Sequence, residues 1–131
     1  QMCIRDRPKS ILQKVTRYNL NKILEIRNNN FNYLKKILDK KIKIISNNKC
    51  YPLNLTIFLK QKEKKKLLKV LNNYRIFPTT LWPLPNELSF KKFKDSHLLS
   101  RGLVSLPIDH RYTKKDIAFI AFIIHKALKH E

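Results

Sequence analysis

The stretch Ser105–Ile120, SLPIDHRYTKKDIAFI, decides the fold. It closes an apolar run, GLVSLPI, that reads as a core strand from Leu103 to Ile108. Pro107 has no N–H to offer a neighbouring strand, so it ends the pairing. Asp109 to Tyr112 fills a polar junction, and Thr113 with Asp116 three residues on forms a capping-box-like pair that starts a helix. Asp109 is placed to accept hydrogen bonds from backbone donors in the turn, and Arg111 to pair with Asp109, Asp116 or a neighbouring lobe. The helix buries a stripe of Ile117, Ile120, Ala121, Ile124 and Leu128. Phe119, Phe122 and Ile123 widen it, which predicts that the helix meets two partners.

Working back from this strand, Gly102 is its entry and the single glycine of the chain. Phe90 to Leu99 reads as a short helix. RIFPTTLWPLP is extended, because its three prolines exclude helix, with a short strand around Arg75 to Leu81. Trp82, the lone tryptophan, sits in this stiff loop. It is either a lip over a ligand pocket or, by a small margin, a ring packed on the sheet edge. QKEKKKLLKVLNNY is an amphipathic helix with an apolar stripe of Leu67, Leu68, Leu71 and Tyr74. Its lysines, Lys60 to Lys66, read as a solvated face before an anion patch. LNLTIFLK alternates, with Leu53, Leu55, Ile57 and Leu59 on the core face. SNNKCYP is a turn, and IKII before it a small edge strand. From Ile11 to Leu38 the apolar residues keep helical spacing, interrupted by Asn28, Asn29 and Asn30, so two helices or one bent helix are expected. The sum is an α+β domain: a small, mostly antiparallel sheet of about three strands covered by helices on one face, with a long or bent N-terminal helix.

Charge is the loudest feature of the composition. The net charge is +20 over 131 residues, and taken alone it suggests a nucleic-acid or acidic-membrane partner. But 22 of the 29 basic residues are lysine, only seven are arginine, and isoleucine (15) and asparagine (12) are abundant too. Those three residues share A/T-rich codons, so codon bias stands beside selection for anion binding as a source of the charge. A basic nucleic-acid-binding module is therefore the alternative reading, resting on charge alone. One glycine against a usual share of ~7% excludes glycine-rich phosphate loops. The longest apolar run, Ile117 to Ile124, is far short of the ~20 residues of a membrane span.

Residues 1–7, QMCIRDR, match the in-frame translation of a transposon end used to tag sequencing libraries, and are read as a non-native scar. That leaves Cys50, beside Lys49 in a turn, as the one native cysteine. It is read as an inert thiol, with no disulfide framework and a reducing, cytoplasmic setting. No metal site is expected. His125 and His130 are five apart, off the helical ligand spacing. His97 and His110 have Asp95 and Asp109 nearby without a ligand pattern. All four read as surface or capping histidines, and no complete catalytic constellation is present.

RIFPTTLWPLP and DSHLLSRGLVSLPIDHRYTKKDI together resemble the C-terminal segment of DegT-type sugar aminotransferases. Upstream, Arg27, Asn30, Phe31 and Leu34 in ILEIRNNNFNYL resemble that family's R-x-x-N-(F/Y)-x-x-L helix. The family often has a histidine before the aromatic-proline pair; Leu81 stands there. The resemblance implies a pyridoxal phosphate (PLP) enzyme of fold type I that moves an amino group from an amino-acid donor to a keto-sugar nucleotide. Residues 8–46 would be a helical segment linking to a large domain, and residues 47–131 a C-terminal small lobe. The Schiff-base lysine and most of the phosphate cradle would lie in that large domain, so the fragment alone would be incompetent. The intact enzyme would be a homodimer. Trp82 and Arg111 are the candidate substrate-binding residues, with no catalytic residue in the fragment. An inter-domain face, laid bare, would make the isolated chain self-associate.

Overall fold

The computed structural model describes residues 18–38, 42–45, 52–82, 84–85 and 87–128. The expected tag at residues 1–7, the expected helical stretch from Ile11 to Arg17, the expected turn around Cys50 and His130 lie outside them. Chain order is α1 (Leu20–Leu38), β1 (Lys43–Ile44), β2 (Asn54–Phe58), α2 (Gln61–Asn73), β3 (Thr79–Thr80), α3 (Lys94–Gly102), β4 (Leu103–Pro107) and α4 (Lys114–Leu128).

The expected α+β class holds, with four strands among the described residues where about three were expected. The sheet order is β1-β2-β4-β3, antiparallel throughout. β2 and β4 form its centre over five pairs, from Asn54 opposite Pro107 to Phe58 opposite Leu103. The edges are two residues long each, β1 on β2 and β3 on β4. Short edges leave little unpaired backbone to recruit another strand.

Alternation decides which face of the sheet is dry. Leu55, Ile57, Val104 and Leu106 point into the core, joined by Leu59 and Ile108 just beyond the strand ends. The opposite face carries Thr56 and Ser105, whose hydroxyls meet at 3.1 Å. Leu53, expected on the core face, is exposed. It precedes the first paired residue, so nothing holds it to the sheet's alternation.

Three helices cover the dry face. α1 contributes Phe31, Leu34 and Leu38, α2 Leu67 and Leu71, and α4 Ile117, Ile120, Ala121, Ile123, Ile124 and Ala127. α4 packs against both α1 and α2, the two partners expected of it. Of the residues that widen its stripe only Ile123 is buried; Phe119 and Phe122 stay exposed.

The expected break at Asn28 to Asn30 is absent: α1 is continuous from Leu20 to Leu38. Asn19 starts it, its Oδ1 accepting from the Lys22 backbone N–H at 3.0 Å, the bond that favours asparagine at helix N-caps. The expected helix Phe90–Leu99 begins only at Lys94, after a turn, and runs on to Gly102, so the glycine closes a helix and does not open the strand. The backbone there meets β2 closely. Leu59 N–H donates to the Gly102 carbonyl at 3.1 Å, and a Cβ on Gly102 would strike the Phe58 ring and sit 2.9 Å from the Leu59 carbonyl oxygen.

Candidate functional site

Two constructions flank β4, one at each end. The first is the junction Asp109–Tyr112. Asp109 accepts from both the backbone N–H and the Nε of Arg111, each at 2.9 Å. Arg27 of α1 reaches its other oxygen at 3.5 Å. His110 Nδ1 lies 3.1 Å from Asp109 Oδ1 but is not aligned for a hydrogen bond, so that attraction is Coulombic. Burial pushes the Asp109 carboxyl up. The Arg111 hydrogen bonds and the charges of His110 and Arg111 outweigh it and hold the group below the usual carboxylate range.

Asn30 completes the junction. Its buried side-chain amide donates to the carbonyls of Asp109 and Tyr112, both at 3.1 Å. The helix-disfavouring residue in the middle of α1 is thus the clasp that ties this helix to the turn before α4. Arg27, Asn30, Phe31 and Leu34 share one face of α1, the polar pair gripping the junction and the apolar pair filling the core. The Thr113–Asp116 cap forms as expected. Asp116 Oδ2 accepts from Thr113 N–H and Oγ–H, both at 2.7 Å, and these bonds hold its carboxyl below its ordinary value.

The second construction holds Trp82. Ser100 on α3 donates its hydroxyl to the Trp82 carbonyl at 2.9 Å. One helical turn earlier, His97 Nε2 lies 2.8 Å from the Leu88 carbonyl, so Nε2 carries the proton and donates. Both side chains are buried. His97 is therefore neither a surface nor a capping histidine, as expected for all four, but a pin for the loop. With its carbonyl held by Ser100, Trp82 is 90% exposed, so it does not pack on the sheet edge.

Beside it lies a groove of about 210 Å³ lined by Gln61, Lys64, Lys65, Leu68, Leu81, Ser100 and Arg101. A second groove, about 250 Å³, runs between Tyr74–Phe77 and the start of α4, with Tyr112, Asp116 and Phe119 among its walls. The described residues hold no cluster of metal-ligating side chains.

The two predicted substrate residues are not brought together. Thr80 pairs with Val104, which sends Trp82 toward the start of β4, whereas Arg111 follows the strand's end. Five residues of strand, roughly 17 Å, lie between those ends. Sequence reasoning missed the roles of Asn30, His97 and Ser100 in building both ends, because each acts on a carbonyl outside its own helix.

No family model and no curated protein matches this sequence. Solved structures do. One, described as a sugar aminotransferase from Streptococcus pneumoniae in its PMP form, aligns with a TM-score of 0.74 at 11% identity, over 88% of this chain and 33% of its own. Another, a DegT DnrJ EryC1 StrS aminotransferase from Brucella abortus, aligns at 0.71 and 17% identity, over 91% and 34%. This chain spans about a third of the length of each, and its fold is the one these two aminotransferases share over that third.

Proposed function

We propose that this chain is the C-terminal small lobe of a PLP-dependent aminotransferase that acts on a keto-sugar nucleotide. The observation that carries the reading is the fold match, which takes in nearly all of this chain and only a third of each sugar aminotransferase. The resemblance in sequence points the same way, since Arg27, Asn30, Phe31 and Leu34 fall on the one face of α1 that docks the lobe's terminal helix.

The described residues do not fit PLP itself. The cofactor asks for a lysine to bond its aldehyde, an acid at its pyridine nitrogen and a backbone cradle for its phosphate. Lys64, whose ammonium burial lowers in pKa, lines a groove without a carboxylate. The single glycine is filled by the Phe58 ring. The cofactor then belongs to a large domain, and the part left to this lobe is to present side chains to substrate.

Trp82 is the better presented of the two. Arg111 spends its Nε–H on Asp109 and offers its two terminal nitrogens, so it meets a substrate or a neighbouring lobe at the other end of β4. In this reading residues 8–46 link to the large domain while packing α1 and β1 onto the lobe of residues 47–131, and the enzyme works as a cytoplasmic homodimer. The test is the full-length protein. It should bind PLP, seen as visible absorbance, and transfer the amino group of glutamate to a keto-sugar nucleotide. A full-length protein that does neither removes the proposal.

A further inference from the structure

The outer stripe of α4 reads cation, aromatic, aromatic, cation. Lys115, Phe119, Phe122 and Lys126 stand at i, i+4, i+7 and i+11, so they share one face of the helix. All four are exposed. The turn after α2 sets more aromatic surface beside them. The Tyr74 ring meets Phe119 edge-on, with centroids 6.0 Å apart. Phe77, 72% exposed, lines the same groove as both. Lys126 Nζ donates to the Tyr74 hydroxyl at 2.9 Å and lies 5.5 Å from that ring's centroid. The ammonium is thus held at the edge of the rings with its charge unneutralised. Arg75, exposed and also on the groove wall, adds a third cation.

Among the described residues no carboxylate pairs with Arg75, Lys115 or Lys126. Asp116 is the one acid on the groove wall. Its Oδ2 already accepts from Thr113 N–H and Oγ–H. The face therefore combines aromatic rings left in water with cations that lack a counter-charge, and what covers it has to answer both. The core of a protein interface is poor in lysine. A second copy covers the rings but returns the same cations. Nucleic-acid contacts favour arginine, and this face has one. An anionic bilayer answers both demands. Aromatic rings settle at the headgroup boundary, while lysine stems lie along apolar surface and lift their ammoniums to the phosphates.

We infer that this face rests on an anionic lipid bilayer, with Phe77 and Phe122 in the headgroup layer and Arg75, Lys115 and Lys126 against the lipid anions. No helix among the described residues is long and apolar enough to cross a membrane; the contact lies in the plane of the interface. The net charge of +20, whatever its source, draws the chain toward such a surface from a distance. The inference goes beyond the aminotransferase reading, because it needs neither cofactor nor second domain and stands if that reading fails.

The 131-residue chain is kept dilute enough to be monomeric and mixed with vesicles of phosphatidylcholine, alone or with phosphatidylserine. It is then floated through a density gradient at moderate salt, where bound protein rises and aggregates sink. The chain should float saturably with the anionic vesicles and bind the neutral ones at least about tenfold more weakly. F77S with F122S, at exposed positions and checked for unchanged melting, should lose at least about tenfold in affinity. K115Q with K126Q, checked in the same way, should lose about thirtyfold, from about fivefold per cation. K36Q with K91Q, which removes two exposed charges outside this face, should stay within about threefold. Absence of flotation with anionic vesicles overturns the inference. So does an equal loss in K36Q/K91Q and K115Q/K126Q, which would mean diffuse attraction to a basic surface. A single-stranded oligonucleotide that binds more tightly than the anionic vesicles, and loses affinity in F77S/F122S, gives the face to nucleic acid and overturns it too.

Discussion

Asn30 is a poor helix former set in the middle of a helix, yet it ties that helix to the rest of the fold. Two carbonyls 79 and 82 residues away depend on its amide. Replacing it with leucine should improve local helix propensity by a few tenths of a kcal/mol. It should nevertheless cost about 2 kcal/mol overall, because both carbonyls lose a buried partner. A urea melt of Asn30→Leu decides between these signs. Asp109 supplies the charge half of the same clasp. Its folded pKa is depressed, so its contribution is fully present above the unfolded value, near 3.9, and is lost as pH falls through the lower folded value. Stability should stay level from neutral pH to about 5 and then decline. Asp109→Asn should lose about 1 kcal/mol at pH 7 and show a shallower acid limb when melts are compared across pH.

Helix ends show how far local sequence reaches. The start of α4 was legible in Thr113 and Asp116, because the donors and acceptors of a cap lie within four residues. The end of α2 was not. Ile76 N–H donates to the Leu71 carbonyl and Arg75 N–H to the Asn72 carbonyl, both at 2.9 Å, with Arg75 at φ 57°. This is a Schellman ending, where glycine is the usual residue, and the chain has an arginine. Arg75→Gly should raise stability by about 0.5–1 kcal/mol, the relief of the left-handed strain less the glycine's extra freedom when unfolded. Gly102→Ala should do the reverse. Alanine is the better helix former by about 1 kcal/mol, but the contacts with Phe58 and the Leu59 carbonyl impose an overpacking cost of about 1–3 kcal/mol. Chemical denaturation of the two variants side by side should give shifts of opposite sign. The central strands and three of the helices could be read from periodicity. The bend expected in α1 could not be dismissed, because the partner that justifies Asn30 is remote. Nor could the orientation of Trp82, which is set by a serine on another element.

At the scale of the whole molecule, a completed core coexists with unfinished surfaces. Tyr74, Phe77, Phe119 and Phe122 are all exposed, and the first three line one groove. A protein should not leave such a patch to water without a use for it. The isolated chain should therefore self-associate as its concentration rises, and Phe77→Ser with Phe122→Ser should shift it toward monomer in sedimentation. A monomer at every concentration would mean the patch is too small to matter. The charge reading survives in part: most lysines of α2 are solvated, while two of them line a groove beside the only tryptophan. As proposed, this chain is one lobe of a longer enzyme. The most direct measurement is the coding DNA read across the 5′ side of the Pro8 codon. It should run on in frame, with other residues in place of QMCIRDR, into a large domain with a lysine placed after a strand to hold PLP. A stop codon or an unrelated domain in that frame would contradict it.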